Sequence, residues 1–367
     1  MFNNIKNIDS IDSPALIVFP EIVERNIKEM VRMVGDVNIL RPHIKTHKTA
    51  EGIRMMQMHG INKFKCATIA EAELLGMNKA EDVIFAHQPV GPRIERLYQV
   101  ATLYPATNFS CITDNIDSAQ KINDVFEKHQ SVIGIYIDLN IGMNRTGISP
   151  SEEVIKLYEA IKEMKSLEFR GMHVYDGHHR QTDPIEKTSA CDASFEKVLA
   201  LKKNFTEKGY DFGTIVAGGS PSFSVHATKN DRECSPGTNI FWDHGYATIC
   251  PEQQFNPAVY ILTRVISVLS DHKVCVDLGH KSVAAENEIS KRVFFPEYPN
   301  AKAVSQSEEH LVLEFPEKHS FKTGDMVCGI PYHICPTVAL HEFLTAVVND
   351  EITGSWHVLA RRRKINC

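Results

Sequence analysis

The chain alternates apolar runs with amphipathic stretches. Ala15-Leu-Ile-Val-Phe19 is a short apolar run closed by Pro20, and Ile22, Val23, Ile27, Met30, Val31 and Val34 then recur at helical spacing. A strand followed by a helix is predicted. Further apolar runs lie near residues 39–44, 63–69, 82–87, 108–113, 132–138, 169–175 and 214–217, and between them come helically patterned segments such as Thr68 to Met77 and Ser151 to Met164. A short run near 232–241 brings the count after the first helix to eight. Strands that alternate with helices predict a parallel sheet, and eight units in about 220 residues fit a closed (β/α)8 barrel better than an open doubly wound sheet. No GxGxxG follows the first strand, whereas Lys45, Thr68, His87, Asp114, Asn140, Tyr175 and Gly218 all fall just after different strands, where a barrel builds its functional rim.

From about residue 256 the texture becomes β-rich without long helical spacers: 259–268, 273–276, 291–295, 310–314 and 325–329, with Ser355-Trp-His-Val-Leu-Ala360 placed to close the sheet. Two domains are therefore expected, a barrel over 12–250 and an all-β domain over 251–367 that can include residues 1–11. The strand at 15–19 suits either.

Composition narrows the class. With 367 residues, 43% hydrophobic and 23% charged, the chain is an ordinary globular protein, and a net charge of -6 without a long basic run argues against nucleic-acid binding. No apolar run approaches membrane-spanning length and the first residues lack the layout of a signal peptide, so a cytoplasmic location is expected. Nine cysteines without a close-spaced pair suggest neither a disulfide framework nor a zinc finger.

Several stretches carry candidate chemistry. If residues 38–47 run extended, His43, Lys45 and His47 project from one face. Burial of that face would lower the proton affinity of Lys45 and favour the neutral amine that forms a Schiff base, whereas a solvated basic edge strand is the competing reading. Arg145, in Gly142-Met-Asn-Arg-Thr-Gly147, is placed to meet an anion or a ring nitrogen. In Gly171-Met-His-Val-Tyr-Asp-Gly-His-His179, His173 and Tyr175 share a face near a strand end, with His178 and His179 just beyond. The turns Gly218-Gly-Ser-Pro221 and Ser235-Pro-Gly-Thr238 offer backbone N–H groups and hydroxyls to a phosphate, while no Walker-type motif calls for a nucleoside triphosphate. His333 and Cys335 alternate onto one face and can chelate one ion, a pairing that suits Zn2+ better than Mg2+ or Mn2+.

Arg41-Pro-His-Ile-Lys-Thr-His-Lys48, Gly142–Gly147, Tyr175-Asp-Gly-His178, Gly218–Pro221, Ser235–Thr238, Trp242-Asp-His-Gly-Tyr246 and His333-Ile-Cys335, in this order, resemble the D-threonine aldolase and D-serine dehydratase group of fold-type III, alanine-racemase-like pyridoxal phosphate enzymes. The resemblance implies a (β/α)8 barrel of alanine-racemase type with a C-terminal β domain. It implies that Lys45 holds pyridoxal 5'-phosphate as a Schiff base, that Gly219, Ser220, Gly237, Thr238 and Tyr175 surround the phosphate, and that Arg145 faces the pyridine ring. His43 belongs to the same cofactor environment. His333 and Cys335 are implied to hold a divalent metal, Zn2+ ahead of Mn2+ or Mg2+. A homodimer acting on a small D-amino acid is the implied assembly.

Two lyase reactions follow. In a D-serine dehydratase, Lys45 removes the α-proton and the metal-bound hydroxide leaves, giving a 2-oxo acid and ammonia. In a D-threonine aldolase, a base such as His178 or His179 takes the β-hydroxyl proton and the Cα–Cβ bond breaks. The resemblance implies the dehydratase, since the His-x-Cys pair is similar to that of the family's dehydratases whereas its aldolases tend to carry an oxygen ligand in place of Cys335. A thiolate also favours zinc, a good acid for expelling hydroxide. The Tyr175-Asp-Gly-His178 stretch is equally at home among the aldolases. An amino-acid racemase, or a barrel that binds the cofactor without catalysis, are readings of a different class; the β domain and the metal pair argue against the latter.

Overall fold

The computed structural model describes residues 2–367. In chain order the first elements are β1 (Ala15–Val18), α1 (Pro20–Val34), α2 (Ala50–Met58), β2 (Lys63–Cys66), α3 (Ile69–Met77), β3 (Asp82–Phe85), α4 (Pro92–Leu103), β4 (Asn108–Thr113) and α5 (Ile116–Lys128). There follow β5 (Ile133–Leu139), α6 (Glu152–Glu163), β6 (Leu167–Val174), α7 (Pro184–Glu207), β7 (Thr214–Ala217), α8 (Phe223–His226), β8 (Glu233–Cys234) and α9 (His244–Ile249). Then come β9 (Val259–Ser270), β10 (Lys273–Val276), β11 (Val293–Phe294), β12 (Lys302–Gln306), β13 (Leu311–Glu314), β14 (Met326–Pro331), α10 (Ile334–Leu340), β15 (Phe343–Val348) and β16 (Glu351–His357). The chain forms two compact units, one built from residues 30–45, 53–237 and 362–367, the other from 2–29, 46–52 and 238–361.

The first unit is the barrel. Strands β2 to β8 form a parallel seven-stranded sheet in sequence order. Both edges of that sheet meet the segment 40–44: Leu40 bridges to Cys234 of β8 and His43 to Lys65 of β2, both in parallel. Arg41 N donates to the Cys234 carbonyl at 2.8 Å and His43 N to that of Pro236 at 2.7 Å, while Lys65 N donates to Pro42 O at 2.9 Å. This segment is the eighth stave, so no edge carries a row of unpaired backbone groups. Thr68 accepts from Glu71 N and Ser151 from Glu153 N, starting two helices where the pattern predicts, and Asn115 starts α5 by accepting from Ser118 N. Ile84, Ile112, Tyr136 and Val216 fill the interior. At the end of the barrel where the strands begin, the buried Arg41 guanidinium bonds Glu233 at 2.6 Å and Asp82 at 2.6 Å, and Lys63 joins Glu233 at 2.6 Å.

The expected extended run through 38–47 is overturned. Val37–Ile39 form a 3-10 turn, pairing stops at His43, and residues 44–47 make a turn. Its cause is local: His43 Nδ1 accepts the Lys45 backbone N–H at 3.1 Å, a side-chain bond that competes with a strand ladder. His43, Lys45 and His47 consequently do not share a strand face. The run at 232–241 likewise yields only the two residues of β8.

The second unit holds a nine-stranded sheet along which the order is β12-β13-β10-β9-β1-β15-β16, with β14 on β9 and β11 on β14. The leading strand belongs here: β1 pairs antiparallel with β9 and parallel with β15. Of the run at 291–295 only Val293–Phe294 is strand, and two further strands, β12 and β15, join the sheet.

Candidate active site

A cavity of about 530 Å3 opens in the barrel unit, lined among others by His43, Lys45, Lys65, Asp138, Arg145, His173 and Tyr175. That volume is ordinary for a small-molecule site. Register explains part of its chemistry. Asp138 of β5 lies directly beside His173 of β6, and its carboxylate meets His173 Nδ1 at 2.7 Å. Burial opposes the charge on Asp138, yet the bonds from His173 and Thr146 and the field of Lys65 hold its carboxyl below the usual range. His173 is pushed down by burial and then by Lys65. The pair therefore rests as a carboxylate and a neutral imidazole whose proton, placed by this hydrogen bond, sits on Nδ1. The other ring nitrogen, Nε2, faces the Lys65 amine at 3.4 Å.

Lys65 was not singled out by the sequence. It is only 3% exposed, and burial first, then the charge of Lys45, push its ammonium down to about 7 against the pull of Asp138 and Asp176. Its signal in the sequence was the alternation Lys63-Phe-Lys-Cys66, which ordinarily marks a solvated strand face. In a barrel the same alternation points inward.

The remaining expected residues separate into groups. Arg145 stacks over the Tyr175 ring at 4.9 Å, and Tyr175 leans across two glycines: a Cβ on Gly177 would lie 2.0 Å from its hydroxyl and one on Gly219 2.8 Å from its ring edge. The two turns expected at the phosphate meet, since Ser220 Oγ accepts the Gly237 N–H at 3.1 Å. Gly219 N donates to Ser222 Oγ at 3.3 Å, so the Gly219 and Gly237 N–H groups are each engaged with a hydroxyl. Thr238 turns its hydroxyl toward Cys335, 3.5 Å away. His47, neutral because burial and Lys48 lower it to about 3, bonds Thr49 and packs on Phe241.

The rings of His178 and His179 lie 4.0 Å apart, tilted by 39°, and are not among the residues that line the cavity. His178 lies against Gly142, and its buried Nδ1 has no partner among the described residues. His179 Nε2 meets Ser194 Oγ at 3.0 Å, and its ring lies in a buried cluster with Asp176 and Cys191.

His333 and Cys335 do meet, though not by strand alternation. His333 is the residue before α10 and Cys335 stands in its first turn. One side of the imidazole reaches Cys335, while Nδ1 is bonded to the Glu286 carboxylate. Cys335 Sγ lies 3.0 Å from Thr46 Oγ1. Asp243 fixes the start of α10 by accepting from Ile334 N at 3.0 Å. Burial would lower His333, but Cys335, Glu286 and Asp243 outweigh it and hold the imidazolium up to about 9. A proton is retained there because the surroundings attract a cation. A thiol, an imidazole and an outer carboxylate on the second ring nitrogen are a donor set that fits zinc. Glu286, 47 positions before His333, gave no spacing signal.

The model of the family described as "Alanine racemase, N-terminal domain" matches residues 20–244, and that of the "Putative serine dehydratase domain" matches 258–347. The chain is similar to a 3-hydroxy-D-aspartate aldolase of Paracoccus denitrificans, 26% identical over 96% of this chain and 92% of that protein. It is also similar to a D-serine dehydratase of Dictyostelium discoideum, 21% identical over 95% of this chain and 97% of that one. Among solved structures, that of D-threonine aldolase from Filomicrobium marinum superposes with a TM-score of 0.89 at 25% identity, covering 96% of each chain. No described helix is long and apolar enough to cross a membrane.

Proposed function

The chain belongs to the alanine racemase N-terminal domain family, and on that premise we propose that it is a pyridoxal phosphate- and divalent-metal-dependent lyase acting on D-3-hydroxy amino acids. The observation that carries the reading is the His333–Cys335 pair with Glu286 on the outer ring nitrogen. A binding module or a racemase has no use for such a donor set. When bound, pyridoxal phosphate supplies an electron sink that acidifies the α-carbon, and the divalent ion supplies Lewis acidity to the β-oxygen. Lys45 would hold the cofactor in the cavity, with Arg145 and Tyr175 beside it and Ser220, Gly219, Gly237 and Thr238 at its phosphate.

The residues of this chain then divide the work. Lys45, an amine on a turn, is suited to accept and return the α-proton. His173, fixed by Asp138, presents Nε2 as an acceptor inside the cavity and keeps one tautomer. His333 and Cys335 would hold the ion, and a thiolate ligand would favour zinc, whose Lewis acidity suits elimination to a 2-oxo acid and ammonia. Retro-aldol cleavage to glycine and an aldehyde is the second reading, favoured by relatives that are named aldolases. His178 and His179, proposed as bases for that route, would need to move to reach the cavity.

Purified protein incubated with D-serine and with D-threonine, before and after chelation, separates these. Pyruvate or 2-oxobutanoate that disappears with zinc removal is expected. Glycine and acetaldehyde without a 2-oxo acid would establish the aldolase instead, and interconversion of serine enantiomers alone would sink both lyase readings.

A further inference from the structure

We propose that Lys65 determines substrate specificity, its amine receiving a carboxylate carried on the substrate's β-carbon, so that the preferred D-3-hydroxy amino acid is a dicarboxylate. This rests on the lyase reading and adds the chemistry of the side chain.

Three cationic side chains, Lys45, Lys65 and Arg145, and two carboxylates, Asp114 and Asp138, line the cavity. Both carboxylates are engaged: Asp138 by His173, and Asp114 by the Gly147 N–H at 3.1 Å. Lys45 is the amine assigned to the cofactor, and Arg145 is stacked on Tyr175. Lys65 remains. Its amine has a neutral ring nitrogen of His173 at 3.4 Å and the face of Tyr175 at 5.8 Å, and no carboxylate stands within ion-pair distance of it among the described residues. A buried ammonium without a counter-charge is costly, so such a group is held either uncharged or against an anion supplied by an occupant.

The fields that reach it come from several elements. Lys45 from the turn after the segment 40–44 and Arg145 from the loop after β5 repel a proton there; Asp138 on β5 and Asp176 after β6 attract one. Their balance, dominated by burial, leaves the amine neutral or charged according to what shares the cavity. A monocarboxylic substrate spends its one acid group at the α-carbon and leaves Lys65 bare. A second carboxylate gives it a partner, and the charge-assisted bond is the kind of interaction that discriminates strongly. Arrival of that anion must then bring a proton with it.

The test uses the holoenzyme and amino acids that lack a β-hydroxyl, so that nothing is eliminated or cleaved. D-Aspartate and D-alanine are titrated against the visible absorption of wild type, Lys65→Met and Lys65→Arg near neutral pH. Wild type is expected to bind D-aspartate about tenfold or more tightly than D-alanine, Lys65→Met to bind them alike, and Lys65→Arg to keep part of the preference. Calorimetry in two buffers of different ionisation enthalpy should show proton uptake with D-aspartate in wild type and none in Lys65→Met. Equal binding of the two amino acids by wild type, or a preference that survives in Lys65→Met, overturns the assignment of Lys65 and leaves the lyase reading standing. A holoenzyme whose absorption responds to neither amino acid overturns both.

Discussion

Replacing Lys65 by methionine should change how stability depends on pH in a way that only the charge state of that amine can produce. Methionine nearly matches the lysine stem in volume, so the packing of β2 is kept while the titrating group is lost. In the unfolded chain the amine holds its proton up to 10.5, whereas in the folded barrel it gives it up at about 7. Between these values the unfolded state binds more protons, so wild-type stability rises with pH. Below that window both states are protonated and the full cost of a buried ammonium is carried; above it both are neutral and the cost vanishes. A drop from 10.5 to about 7 corresponds at most to about 5 kcal/mol, accrued at about 1.4 kcal/mol per pH unit. Lys65→Met should therefore be the more stable protein at and below neutral pH, with the gap closing toward roughly pH 10. Urea unfolding of both proteins, freed of cofactor and followed by far-UV circular dichroism, reads the difference directly, and titrating groups that do not feel Lys65, unlike Asp138 and His173, cancel in it. Two stability curves that run parallel across that range would refute the reasoning, since Lys65 would then keep its ordinary affinity for a proton in the fold.

Glu286→Gln keeps the shape of the partner on His333 Nδ1 but removes its charge and its control of the tautomer, and zinc affinity measured by competition with a chromophoric chelator should fall about 10- to 100-fold. Unchanged affinity would show that Glu286 is a bystander. Arg41→Met leaves Glu233, whose side chain is 9% exposed, with Lys63 alone and takes the guanidinium from Asp82, and should cost up to about 3 kcal/mol in urea unfolding. Gly177→Ala places a methyl group 2.0 Å from the Tyr175 hydroxyl and must displace that ring; cofactor binding, followed by visible absorbance, should weaken about tenfold. Lys45→Ala should show no cofactor band of the wild-type position at all, whereas Lys65→Ala should retain one.

The alternation of strand and helix was readable because most barrel strands are compact apolar runs and several of the following helices open on a capping side chain such as Thr68, Asn115 or Ser151. What failed had local causes. The segment 40–44 looked like a longer strand because Ile39, Leu40 and Ile44 are apolar, and the bond from Lys45 N to the His43 ring that bends the chain carries no signal in residue order. Strand β12 leaves no apolar run because most of it is exposed. Phe343–Val348 is apolar and was within reach of the same reading that found its neighbours. At the site, His173 and Tyr175 were visible as polar residues at a strand end, but the union of His173 with Asp138 depends on the register of β5 against β6. Lys65 and Glu286 were hidden for a similar reason: each acts through a partner that lies far away in sequence.

The two lysines of the cavity differ most in how their backbones are held, and this difference bears on their roles. Lys65 sits inside the ladder: its N–H donates to Pro42 O at 2.9 Å and its carbonyl accepts from Ile44 N at 3.0 Å, so the segment that closes the barrel also fixes where the Lys65 amine begins. Lys45 lies just past the last bridge of the same stave, on a turn where pairing has already ended. An amine that must bond to a cofactor, leave it for the substrate and return has to travel, and a turn allows that. An amine that must tell a dicarboxylate from its monocarboxylic neighbour has to stay, because a misplacement of about 1 Å erases much of such discrimination. On the proposed roles, the stretch around residue 43 supplies the travelling amine directly and the fixed one indirectly, by clamping the strand that bears it.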